Sequence, residues 1–123
     1  MTSDLFFRVT VTEKNMVDTT TFKSLAMSFP ETKELTHFEK TSFRINNKIF
    51  ATLDESHQKA CLKLDEVDQS VFCLIDPTII YPVNNKWGKQ GWTYVELNKV
   101  KKNLLKDALS KAYSTVALTK TKK

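Results

Sequence analysis

The sequence predicts an α+β domain of two layers, with an antiparallel sheet and helices packed on one of its faces. Three observations lead there. The chain has 123 residues, enough for one domain with a real core and too few for two ordinary ones. Short runs of alternating apolar and polar residues, bounded by turn residues, read as strands. Three further segments repeat apolar residues at helical spacing. Their order is α-β-β-β-α-β-β-α, an α-β(3)-α-β(2)-α pattern preceded by one extra strand. Helices on one side of an antiparallel sheet are the natural closure for that order.

The extra strand is residues 5–11, where Phe7, Val9 and Val11 share a face. Asp18 is a good N-cap for a helix over residues 19–29, with Phe22, Leu25, Ala26 and Phe29 on one stripe and Pro30 as its stop. Val17 and Phe22 are placed for a hydrophobic staple. Residues 41–46, 48–53 and 59–64 then read as an antiparallel meander. Asn46-Asn47 forms its first tight turn, since asparagine tolerates positive φ. In the second strand Ile49, Ala51 and Leu53 fall on one face and Phe50 on the other. The third alternates Lys59, Cys61 and Lys63 against Ala60, Leu62 and Leu64.

Asp65 opens a helix over residues 66–75, whose inner face is expected to be Val67, Val71, Leu74 and Ile75. Residues 79–83 are a short strand, confined to an edge or bulge by Pro82. Gly88 and Gly91, the only glycines, frame a turn. The last strand, residues 92–97, alternates Trp92, Tyr94 and Glu96 against Thr93, Val95 and Leu97. The final helix runs from Asn98 or Lys99 to about Val116, with Val100, Leu104, Leu105, Ala108, Leu109, Ala112 and Val116 as its buried stripe. Residues 1–118 thus form one domain, with 1–16 as an N-terminal extension and 119–123 as a flexible basic tail.

The net charge of +5 is uneven. Residues 99–123 hold eight lysines and one acid, Asp107, whereas residues 1–98 hold 11 basic and 13 acidic side chains. Only Arg8 and Arg44 are arginines. Lysine without arginine suits phosphate attraction or plain solubility better than base readout. Cys61 and Cys73 lie among apolar residues with no CxxC spacing, and are expected to be buried free thiols. Neither a signal peptide nor a run of about 18 apolar residues is present, so no membrane association and a cytoplasmic location are expected.

Residues 30–97, with the end of the helix before them, carry a resemblance. Ser28-Phe29-Pro30-Glu31-Thr32 and His37-Phe38 are followed by the run from Phe43 to Leu53, then by Ala60-Cys61-Leu62-Lys63-Leu64, Tyr81-Pro82 and Lys86-Trp87-Gly88-Lys89-Gln90-Gly91-Trp92-Thr93. On these residues the chain resembles the MmcQ/YjbR family of small bacterial proteins over about four-fifths of its length. The most specific part is residues 87–92 at their spacing from Tyr81-Pro82. The resemblance implies a two-layer fold like that of secretion chaperones. Most members are uncharacterised; some are described as having a double wing arrangement, which implies DNA binding. The first 16 residues depart from the family pattern.

Two groups of candidate residues follow. Lys86, Trp87 and Lys89, in a glycine-framed loop, together with Lys99, Lys102 and Lys106 on the last helix, suit weak, salt-sensitive, largely non-specific DNA or RNA binding. The bland alternative is a turn whose tryptophans anchor the core, beside a solvated helix face. His37, Arg44 and Lys48 are candidates for a polar cleft near the meander. No catalytic motif, metal-ligand pattern or cofactor loop is present, so a non-enzymatic module without cofactor is expected. A protein-interaction or chaperone-like adaptor, pairing through the strand at 5–11, is the second expectation, and the chain is expected to be a monomer or weak homodimer.

Overall fold

The computed structural model describes residues 17–37 and 40–121. The strand expected at 5–11 lies outside them. Helix α1 (Thr19–Met27) starts at Asp18, whose carboxylate accepts a hydrogen bond from the Thr21 N–H at 2.7 Å. That cap holds the Asp18 carboxyl below the usual carboxylate range. Val17 and Phe22, on either side of the cap, are both buried. Strands β1 (Lys33–His37), β2 (Lys40–Ile45), β3 (Lys48–Asp54) and β4 (Lys59–Lys63) come next. They are followed by α2 (Glu66–Ile75), β5 (Ile80–Pro82), the short helix α3 (Lys86–Lys89), β6 (Trp92–Glu96) and α4 (Lys102–Thr121).

The six strands form one open sheet in the order β1-β2-β3-β4-β6-β5, and every neighbouring pair is antiparallel. The α+β class, the antiparallel sheet and the three main helices are as the sequence predicts. All three pack on one face. Phe22 of α1 meets Phe43 of β2 edge-on at 5.7 Å, Tyr113 of α4 meets Phe50 of β3 at 5.4 Å, and Gln69 of α2 donates to Thr93 Oγ1 of β6. Among the described residues no helix is long and apolar enough to cross a membrane.

Several expectations need correction. Strand β1 is a fourth strand before α2, unread because Lys33-Glu34-Leu35-Thr36-His37 has one apolar residue and lies at the sheet edge, where Leu35 is exposed. A single helical turn, α3, replaces the loop read around Gly88. Helix α4 begins later and continues through Thr121, over residues expected to be tail. Phe50 is in the core with Ala51 and Leu53, while Ile49 is turned to the other face. The cause is a bulge: Phe43 faces Ala51 but Arg44 faces Ile49, so Phe50 is an extra residue that reverses the pleat. Finally, Val67, Val71, Leu74 and Ile75 of α2 point outward; Phe72 is the buried side chain of that helix.

The turns confirm the local chemistry. Asn46 and Asn47 have φ of 55° and 67°, the paired left-handed residues of a type I′ hairpin. Gly91 has φ of 106°, and a Cβ there would lie 1.8 Å from the Leu64 carbonyl oxygen. A Cβ on Gly88 would lie 1.9 Å from the Val83 oxygen. These contacts are backbone on backbone, so no side chain can move aside. Gly91→Ala is expected to lower stability by about 3 kcal/mol in urea denaturation. Asn47→Gly, which keeps the left-handed turn at an exposed position, is expected to change it by less than about 0.5 kcal/mol.

Candidate functional site

Among the described residues, no helix covers the second face of the sheet. Strand alternation aims one set of side chains at it: Lys40, Ser42 and Arg44 from β2, Thr52 and Asp54 from β3, Lys59, Cys61 and Lys63 from β4, and Trp92, Tyr94 and Glu96 from β6. Cross-strand register sorts them into rows. Lys40, Asp54, Lys59 and Glu96 are successive partners, so one end of the face is a row of alternating charge. Ser42, Thr52, Cys61, Tyr94 and Tyr81 form the middle row. Lys63 faces Trp92 at the far end.

A groove of about 680 Å³ runs across these rows. Lys40, Asp54, His57 and Lys59 wall one end, Ile49, Thr52, Cys61 and Tyr94 form its floor, and Val83, Trp87 and Trp92 wall the other. Helix α3 presents Trp87, which is 49% exposed, and Asn85 caps that turn by accepting from the Trp87 N–H.

The two ends differ electrically. In the alternating row, Lys59 Nζ is 3.6 Å from Glu96 Oε2 and 4.8 Å from the Tyr94 ring centre. The Tyr81 hydroxyl donates to the same Glu96 carboxylate. The neighbouring Tyr81 hydroxyl, with Glu96, holds the Lys59 ammonium above its ordinary pKa. Asp54 belongs to the same end: burial pushes its carboxyl up, but hydrogen bonds from Ser56 and His57 outweigh this and leave it low. His57 Nδ1 sits 3.0 Å from Asp54 Oδ2. These charges largely satisfy one another.

At the tryptophan end they do not. Lys63 donates to the Gln90 carbonyl and lies 5.8 Å from the Trp92 ring centre. No ion pair reaches it among the described residues, and burial lowers its pKa. An ammonium that has lost water without gaining an anion is the one that gains most from a phosphate. Lys86 Nζ, 5.9 Å from the Trp87 ring centre, adds a second cation there.

Of the residues singled out in the sequence, Trp87 lines the groove and Lys86 flanks it. Lys89 follows on α3 and is exposed. Lys99 lies past the other end of β6, and Lys102 and Lys106 are exposed on α4, in the helical layer. The six do not form one patch. His37, Arg44 and Lys48 do not meet either. His37 pairs with Lys40 while Arg44 pairs with Lys33, about 13 Å away along β2. The His37 side chain is outside the described set, and Lys48 starts β3 beyond the Asn46-Asn47 turn. Sequence reasoning missed Lys59, Lys63, Trp92 and Tyr94 as site residues. Their alternation was visible, but only the β4–β6 pairing shows that the two sets share a face.

Cys61, on the groove floor, is half-buried rather than fully enclosed, and burial pushes its thiol up to about 11. Cys73 is also half-buried and free. No group of three or more His, Cys, Asp or Glu suited to a metal occurs among the described residues. The rate of Cys61 alkylation by iodoacetamide, measured in Cys73→Ser, is expected to rise with pH to a midpoint near 11. At neutral pH it is expected to be about 100-fold slower than for a free cysteine.

Comparison with solved structures finds the crystal structure of the Deinococcus radiodurans protein DR2400, with its DUF419 domain, at a TM-score of 0.71 and 22% identity. The match covers 85% of this chain and 82% of that one. At this identity the likeness is one of fold: the two share the two-layer arrangement. A search of curated proteins returned no match. The YjbR family model, in contrast, matches residues 27–115, from the end of α1 through most of α4 and including every wall of the groove. On that match the chain belongs to the YjbR family, a family of small uncharacterised modules.

Proposed function

We propose that this chain is a binding module whose open sheet face takes single-stranded nucleic acid. The observation that supports it is the meeting of Lys63 with Trp92, and of Cys61 with Tyr94, across the β4–β6 pair. Exposed aromatic rings on a sheet accept unstacked bases, and lysines between them accept phosphates. The groove volume of about 680 Å³ is within the range of small-ligand sites. The alternating-charge row, with the Lys59–Glu96 and His57–Asp54 pairs, bounds the face at one end, while Lys63 and Lys86, which form no ion pair among the described residues, lie at the Trp92 end. A duplex offers no free base faces to these rings, so single strands are the better ligand. With a single described arginine, Arg44, whose Nε donates to Ser42 Oγ, the reading is of weak binding with little sequence preference.

Fluorescence anisotropy with short single-stranded DNA, single-stranded RNA and duplex DNA at about 50 and 200 mM salt tests this. Single strands are expected to bind at the lower salt and to lose most of their affinity at the higher. Trp92→Ala is expected to weaken binding by about tenfold. Lys63→Met is expected to weaken it by about fivefold, reduce the salt slope by about one, and leave stability unchanged or raised. The double variant Lys102→Ala/Lys106→Ala, on the opposite layer, is expected to alter affinity by less than about twofold. Absence of single-strand binding at low salt, or a loss that follows Lys102 and Lys106 instead, would overturn the reading.

A further inference from the structure

Helix α2 turns its apolar side chains away from the sheet. Val67, Val71, Leu74 and Ile75 are 70%, 52%, 82% and 56% exposed. Their spacing of i, i+4, i+7 and i+8 makes one continuous stripe, and Phe72 and Gln69 on the opposite side hold the helix to the sheet. Scattered apolar side chains on a surface are ordinary, but four in line on one helix mark a surface that meets something.

Charge at the two ends of the stripe says what fits it. The first end is acidic, with the cap Asp65 and then Glu66 and Asp68. The second end lies beside lysines. The Lys99 N–H donates to the Glu96 carbonyl, the Glu96 N–H to that of Ile79, and the Ile79 N–H to that of Asp76, the residue after α2; the Asp76 carboxyl is held low by its hydrogen bonds from Thr78, with a smaller contribution from the Lys99 charge. Exposed Lys101 and Lys102 follow Lys99 in the chain.

We infer that this stripe is the surface through which two copies of the chain pair about a two-fold axis, with their α2 helices antiparallel. That arrangement sets the stripe against itself and brings the acids of each copy to the lysines of the other. It also opposes the two helix dipoles. A parallel pairing would bring acids to acids and lysines to lysines. One short stripe buries less than the roughly 800 Å² per partner of a stable interface, so the dimer is weak and salt-sensitive. It gives Lys99 and Lys102 a role independent of nucleic acid.

Sedimentation velocity on the full chain, from about 10 µM to about 1 mM, tests the inference. The mass is expected to rise toward a dimer across that range and to fall back at high salt. Leu74→Glu is expected to leave a monomer with an unchanged melting temperature, because Leu74 is 82% exposed. Lys99→Glu is expected to weaken the dimer about tenfold, and adding Glu66→Lys to restore it. Three outcomes would overturn the inference: a monomer throughout the range, a dimer that Leu74→Glu leaves intact, or a Leu74→Glu monomer that melts lower without any prior dimer. The last would mean that another part of the same chain covers the stripe.

Discussion

Strand β6 lies between β4 and β5, reached only after the chain has crossed through α2 and doubled back through α3. Two backbone contacts hold it there. The Leu64 N–H donates to the Gly91 carbonyl at 2.9 Å, and the Val83 N–H to the Trp92 carbonyl at 2.9 Å. At both places the opposing backbone comes so near a glycine that any side chain would collide. Gln69 adds a third tie, donating from α2 to the Gly88 carbonyl at 2.9 Å and to Thr93 Oγ1 at 3.0 Å. The register of β6 on β4 therefore rests on atoms that cannot shift. It sets Lys63 beside Trp92 and Cys61 beside Tyr94, and it fixes which side of α2 meets the sheet.

The division of labour between the two faces follows from the core. Phe22, Phe43, Phe50, Leu53, Leu62, Leu105 and Leu109 are all fully buried between the sheet and the helices. Phe29, Phe50 and Tyr113 stack and cross within about 6 Å of one another, and the Tyr113 hydroxyl donates to the Pro30 carbonyl at 2.8 Å. That pins α4 to the turn after α1. With the described helices held on one side, the other face carries the half-buried rings of Trp92 and Tyr94 with Lys59 and Lys63 beside them. A sheet with one dry face and one wet face is stable because alternation gives each its own residues.

Charge is divided in the same way. The described part of the lysine-rich end, residues 99–121, belongs to the helical layer and the turn before it. The cations of the groove come from β2, β4 and α3, within residues 1–98, where 13 acids outnumber 11 basic side chains. A net charge of +5 thus describes two separate surfaces. One is a row and a rim of lysines among aromatic rings. The other is the outer side of α4 with the turn beside α2.

Much of the fold was legible from residues alone. Asp18 and Asp65 announced their helices, Asn46-Asn47 its hairpin, and the alternation in 59–64 and 92–97 its strands, because capping, turn geometry and pleating act within a few residues. Helix α2 was harder: Val67, Val71, Leu74 and Ile75 make a proper stripe, yet the sheet took the other side, where Phe72 is buried and Gln69 reaches β6. The bulge at Phe50 depends on how β2 sits against β3, and β1 has almost no apolar signal because an edge strand on a two-layer sheet buries little. The groove escaped notice for the same reason. A sequence fixes the period of a strand or helix through its own local sterics, but which face is buried, and which residues of distant strands share a surface, is decided by the neighbour it packs against. The sequence by itself determined the class of fold, most of its elements and their caps; the tertiary structure decided the six-strand order, the bulge, the outward stripe of α2 and the row of Lys59, Lys63, Trp92 and Tyr94.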